Sequence, residues 1–270
     1  MKKRFLFCIF LLAMCLSSTR ALARQKSHPE PIRRLFLIGG GPRPTELLRK
    51  FIRSSGGAMS PILVITWASN HPANTYASIS HDLLAAGALN VNSSLRPPQN
   101  KDDLNTFLER LRGAGGIFFS GGDQNQIIRV LRNTRLRDAL VKKYEDGFAI
   151  AGTSAGSAMM SKHMLTGNSI FPLSRGLGLL PNIIIDTHFS ERQRNARLRH
   201  AIRKFPDTIG VGIDEGTGVV IKNESTLKII GSNHVIIEEL NGQRSLGDGE
   251  MYNLTNKSCH SLIAKPSTAK

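Results

Sequence analysis

Gly152-Thr153-Ser154-Ala155-Gly156 fits the pattern G-x-S-x-G, and the apolar run Phe148-Ala149-Ile150-Ala151 leads straight into it. A strand that turns sharply into a helix at such a site lifts the serine oxygen clear of the backbone, and the glycines relieve crowding on either side. The serine is then a nucleophile or, in the plainer reading, a helix N-cap. A nucleophile needs a base. His188 follows the run Ile183-Ile184-Ile185, at a strand's carboxyl end like Ser154. His28 lies in a polar lead-in, His200 in a helix among arginines and His260 near the tail. A base needs an orienting acid. Asp214 and Glu215 follow an apolar run over 209–213, although adjacent acids after a strand also form turns. Together these types support acyl transfer, with the Ala155 amide and the new helix's positive end facing a developing oxyanion. The chain order is Ser, His, acid. The α/β-hydrolase order is Ser, acid, His, so that fold is disfavoured.

Elements must hold these residues. Apolar runs predict strands at 35–38, 62–65, 117–119, 148–151, 183–185 and 209–213. Helices are expected after Gly41 up to Gly56-Gly57, over about 73–86, around Leu104, Phe107, Leu108 and Leu111, and over 124–131 and 136–144. A further helix is expected over 191–204, opened by a capping box of Ser190 and Gln193. From Ile209 the pattern is strand-rich, with turns at Glu215-Gly216, Asn223-Glu224 and Gly231-Ser232. The alternation predicts an α/β fold: a mostly parallel sheet flanked by helices, with a β-rich C-terminal part. In such folds ligands gather at the strands' carboxyl ends, where Gly39-Gly40-Gly41, Gly121-Gly122, Ser154, His188 and Asp214-Glu215 all fall. The triple glycine does not open a nucleotide loop, because Pro44 stands where G-x-G-x-x-G requires its third glycine. It reads as a tight turn on the site's rim.

The first residues form a basic head (Met1-Lys2-Lys3-Arg4), an apolar stretch over 5–16 and an A-x-A signal at Ala21-Leu22-Ala23. This reads as a secretory signal peptide over 1–23, leaving one domain over 24–270. An uncleaved anchor is the plainer alternative, and Met14 disfavours a lipoprotein site at Cys15. Cleavage leaves 32 Lys and Arg against 20 Asp and Glu, a charge of about +12. That charge suits acidic partners or serves solubility alone. Cys259 is then the one remaining cysteine, so no internal disulfide is expected. CxxC and HExxH are absent, and no metal site is expected. Arg192, Arg194, Arg197, Arg199 and Arg203 ring much of one helix. They read as a solvated face, with a substrate or intersubunit role for Arg192 beside it. No helix-turn-helix, RNP or finger pattern supports nucleic-acid binding.

Four blocks in order carry a resemblance: Gly121-Gly122-Asp123-Gln124, Gly152-Thr153-Ser154-Ala155-Gly156, Asp186-Thr187-His188-Phe189 with the arginine-rich segment from Arg192, and Gly212-Ile213-Asp214-Glu215. The chain resembles the serine peptidase family of the cyanophycinases, which also holds aspartyl dipeptidase. The resemblance implies a fold like the class I glutamine amidotransferases. It implies Ser154 as nucleophile, His188 as base and Glu215 as acid, with the amides of Gly122 and Ala155 as the oxyanion hole. It sets Asp123, Gln124, Asp186, Thr187 and Arg192 at the substrate, and no cofactor is implied. Two departures bear on specificity: Thr187 replaces a glutamine usual in cyanophycinases, and Pro42-Arg43-Pro44 stands where many relatives carry acids. The expectation is an exported peptidase cleaving aspartyl amide bonds, with cyanophycin first among substrates. The alternatives are an aspartyl or isoaspartyl dipeptidase, or an idle polyanion-binding protein on the same scaffold. Subunit number stays open, a homodimer included.

Overall fold

In the computed structural model, residues 30–167 and 173–260 are described, and the expected signal peptide over 1–23 lies outside them. Strands β1 (Arg34–Ile38), β2 (Ile62–Ile65), β3 (Val91–Ser94), β4 (Gly116–Phe119) and β5 (Ala149–Thr153) pair in parallel in the order β1-β5-β4-β2-β3. Unbroken apolar runs suit strands buried on both faces. Leu35 and Leu37 of β1 join one core cluster, while Phe36 and Ile38 join another on the opposite face. Helices α1 (Thr45–Ser54) and α2 (Pro72–Ala85) supply Leu47, Leu48, Phe51, Ile52, Ile79 and Leu83 to the second cluster. α3 (Lys101–Gly113) and α5 (Thr134–Glu145) supply Leu104, Phe107, Leu111, Leu136 and Leu140 to the first. Asn100 starts α3 by accepting the amides of Asp102 and Asp103, and Asp123 starts α4 (Gln124–Val130) by accepting that of Asn125.

The expected strands over 183–185 and 209–213 are present, but in a second sheet. β8 (Ile183–Thr187) pairs in parallel with β9 (Ile209–Ile213), which continues antiparallel to β12 (Val235–Glu239) and β13 (Gly242–Leu246). One face of this sheet, with Ile183, Ile185, Val211, Ile213, Val235 and Ile237, shares the first core cluster. The other is covered by Leu198, Ala201 and Ile202 of α7 (Asn195–Lys204). Ahead of it, α6 (Ala155–Ala158) is followed by the hairpin β6 (His163–Leu165) and β7 (Leu173–Arg175). After β9 the chain crosses at Asp214-Glu215-Gly216 into β10 (Thr217–Lys222), antiparallel to β1. β11 (Thr226–Gly231), β14 (Met251–Asn253) and β15 (Ser258–His260) extend that edge antiparallel. Thus the central sheet is parallel on one side of β1 and antiparallel on the other.

Two local expectations change. α7 begins at Asn195, not 191, and no capping box forms. Gln193 has φ 51°, outside helical space, and the Ser190 amide donates to Asp214 Oδ1 instead. β3 had no signal in its sequence, because Val-Asn-Ser-Ser is a half-exposed edge rather than an apolar run. Among the described residues no helix is long and apolar enough to cross a membrane.

Candidate active site

β5 delivers Ser154 at a sharp turn. The residue has φ 51° and ψ −114°, a backbone state that costs about 1–3 kcal/mol in an L-residue. Close packing holds it there. A Cβ on Gly152 would stand 2.4 Å from the Gly156 carbonyl oxygen, and one on Gly156 would stand 2.4 Å from that of Phe119. The elbow therefore needs both glycines of the motif. Ser157 supports the turn from beneath: its buried hydroxyl accepts the Ile38 amide at 3.0 Å, with the Gly152 and Ile38 carbonyls each at 2.8 Å. As an N-cap Ser154 would accept an amide of α6 through its side chain, and it makes no such bond.

Ser154 Oγ instead lies 2.8 Å from His188 Nε2, and His188 Nδ1 lies 2.5 Å from Glu215 Oε1. The two adjacent acids have separate tasks. Asp214 is buried and its carboxylate accepts the amides of Ser190 and His234, fixing the loops around the site. Glu215 turns toward the imidazole. Three consecutive carbonyls at the end of β1 hold the constellation together. Ile38 O accepts the Ser154 amide at 2.9 Å, Gly39 O the His188 amide at 2.8 Å and Gly40 O the Gly216 amide at 3.0 Å. The glycines beside them give His188 and Glu215 room: Gly40 has φ 128°, and a Cβ there would stand 2.2 Å from His188 Cε1.

The site opens into a cavity of about 570 Å³, lined by Ser154, His188, Gly40, Gly41, Gly121, Gly122 and Thr153 on one side. Arg43, Arg192 and the polar face of α2 (Asn74, Thr75, Ser78) line the other. Among the described residues the amides of Gly122 and Ala155 donate to no protein acceptor. Free amides next to a hydroxyl–imidazole–carboxylate relay are the donors an oxyanion needs. Among the described residues no group of three His, Cys, Asp or Glu could hold a metal ion.

Of the five residues expected at the substrate, Arg192 lines the cavity; Asp123, Gln124, Asp186 and Thr187 do not. Asp123 caps α4, and Gln124 Nε2 donates to the Leu165 carbonyl at 2.8 Å. Asp186 is 1% exposed. It accepts Arg197 Nε at 2.7 Å, Arg197 Nη2, Arg194 Nη1 at 3.2 Å and the Thr187 amide. Burial pulls the Arg194 guanidinium below its usual range, with Asp186 opposing that pull. Arg194 and Arg197 thus point inward and Arg199 pairs with Glu238 at 2.9 Å, so the arginine segment is not simply a solvated face. The sequence hides this because 189–194 is a turn, so helical spacing misplaces these side chains. Replacing Asp186 with alanine strands two largely buried guanidiniums, 10% and 15% exposed, and is expected to cost about 3 kcal/mol. Thermal unfolding checks it: an unchanged midpoint with only a raised KM would return Asp186 to the substrate. Arg43 and the polar residues of α2 are cavity residues that carry no recognisable motif.

The Peptidase family S51 model matches residues 35–229. A cyanophycinase of Trichormus variabilis is 31% identical over 234 residues, 81% of this chain and 78% of its own. A peptidase E of Nostoc is 30% identical over 141 residues, 48% of this chain and 57% of its own. A solved peptidase from an acI-B1 actinobacterium superposes with a TM-score of 0.66 at 24% identity, over 82% of this chain and 97% of that one. With the relay and its free amides already in place, these matches lead to one conclusion: the chain belongs to peptidase family S51 and is a serine-type peptidase.

Proposed function

We propose that Ser154, His188 and Glu215 hydrolyse amide bonds at aspartyl residues, in an exported protein that acts on cyanophycin. The observation that carries the reading is the unbroken hydrogen-bond relay from Ser154 Oγ to Glu215. His188 Nε2 takes the Ser154 proton as Oγ attacks the amide carbon, and Glu215 holds the other ring nitrogen and offsets the imidazolium charge. The amides of Gly122 and Ala155 receive the oxyanion; losing one such donor costs roughly 100–1000-fold in rate. His188 then gives its proton to the leaving nitrogen as the C–N bond breaks. Water, deprotonated by the same imidazole, attacks the acyl-enzyme and restores the serine. Arg192, at the cavity and with no side-chain partner for its guanidinium among the described residues, suits a substrate carboxylate. The similarity to cyanophycinases supports the polymer as substrate, and the basic, apolar, A-x-A leader supports export.

Hydrolysis of short aspartyl or isoaspartyl peptides is the second reading, favoured by the modest cavity and the similarity to peptidase E. Residues 24–270 incubated with insoluble cyanophycin, Asp-X and isoAsp-X dipeptides separate the two. Clearing of the polymer supports the first reading, and cleavage of dipeptides alone supports the second. If nothing is cleaved and a serine-directed phosphonate leaves Ser154 unlabelled, both fail.

A further inference from the structure

The cavity carries a second guanidinium whose task the relay does not explain. Arg43 is held between Pro42 and Pro44, so its backbone has little freedom. Its side chain is 13% exposed. Nε lies 2.8 Å from Asp82 Oδ2 and Nη2 donates to Ser78 Oγ at 2.5 Å, both on α2. Nη1 meets no protein acceptor among the described residues, and Arg43 lines the cavity that holds Ser154. The arginine is thus held from behind by the Ser78 hydrogen bond and the charge of Asp82, while its buried Nε makes no hydrogen bond.

Among the described residues no Asp or Glu lines the cavity. Acids adjoining the lining residues have partners: Asp82 faces Arg43, Glu215 faces His188, Asp123 accepts the Asn125 amide and Glu191 the Glu215 amide. A cationic substrate side chain would find no partner inside, whereas an anion would find two guanidiniums and the hydroxyls of Thr75 and Ser78. The first turn of α2, which has no acidic residue, adds a partial positive charge. Arg192 suffices for the carboxylate of the aspartyl group, so a second anion is needed to match Arg43.

We infer that Arg43 is a specificity-determining residue that binds a second substrate carboxylate, the free carboxylate of the residue on the leaving side of the scissile bond. This rests on the aspartyl-amide reading above. The enzyme reads that carboxylate and is indifferent to a positive side chain beside it. In an Asp-Arg unit it grips the arginine's carboxylate and leaves the guanidinium in solvent.

The test measures binding, so that it stands apart from hydrolysis. Calorimetry on the Ser154→Ala protein compares Asp-Leu, Asp-Leu amide and Asp-Arg, in both α- and β-linked forms. The expected result is at least about tenfold tighter binding of the acid than of its amide, with Asp-Arg within about threefold of Asp-Leu. Adding Arg43→Gln should bring acid and amide together with the unfolding midpoint kept. Equal binding of acid and amide by Ser154→Ala alone, a strong preference for Asp-Arg, or an equal loss for both ligands in the double variant overturns the inference. Hydrolysis of the same peptides by the wild-type chain is the separate arm: if it fails while acid and amide still differ, the aspartyl-amidase reading falls and the anion site stands.

Discussion

Replacing Ser154 with glycine lowers kcat by about 10⁴–10⁶-fold and raises the unfolding midpoint. The first effect is the loss of the nucleophile; removing one member of such a relay typically leaves only what binding and the oxyanion hole supply. The second follows from the backbone. Ser154 sits at φ 51° and ψ −114°, which glycine adopts with less steric cost. Relief of that strain offsets the extra freedom glycine adds to the unfolded chain and leaves a net gain of about 0.5–1 kcal/mol. Turnover and thermal melting of the purified variant check both halves together. A variant that loses activity and also melts earlier would mean that the elbow is unstrained or that the serine has a structural duty.

Gly40→Ala is expected to be nearly as damaging, although it replaces none of the three relay residues. The added methyl carbon would stand 2.2 Å from His188 Cε1 and 2.6 Å from Nε2. No carbon comes that close, so the ring or β1 must move. β1 is paired on both sides, and the ring is the softer party. A displacement of 1 Å in a reacting group can cost about 100-fold. Here the proton acceptor itself is displaced, and a loss of roughly 1000-fold in kcat/KM is expected. The positive φ adds about 1 kcal/mol of destabilisation. The readout is phosphonate labelling of Ser154 beside a melting curve: labelling should collapse while cooperative unfolding persists. Activity within tenfold of wild type would show that the imidazole has room the structure does not give it.

These two cases show what could be read from the residues and what could not. Ser154 and His188 were legible as candidates because each follows an apolar strand, whereas the run over 209–213 left Asp214 and Glu215 equally open and only the resemblance pointed to Glu215. Parallel strands were visible because burial on both faces leaves unbroken apolar runs. That 183–187 and 209–213 belong to a second sheet was invisible, because a buried strand reads alike in either sheet. The partners of Asp186 were hidden for another reason. It lies one step before the strand's end, but strand alternation aims its carboxylate inward, to arginines that only the turn at 189–194 can deliver. Pro42-Arg43-Pro44 stood out only as a departure from relatives, and its place in a cavity wall shared with α2 was hidden because such a wall has no spacing of its own. Gly40 was read as a tight turn; its closeness to the imidazole is a tertiary fact that no local pattern encodes.

The carbonyls of Ile38, Gly39 and Gly40 hold partners drawn from three distant parts of the chain. Such long-range closure is slow relative to local folding. A growing polypeptide would therefore remain catalytically silent until its latest partner, the segment around Gly216, docked against a strand made long before. Latency of this kind needs no inhibitor or propeptide, because it is built into the order in which the chain is synthesised.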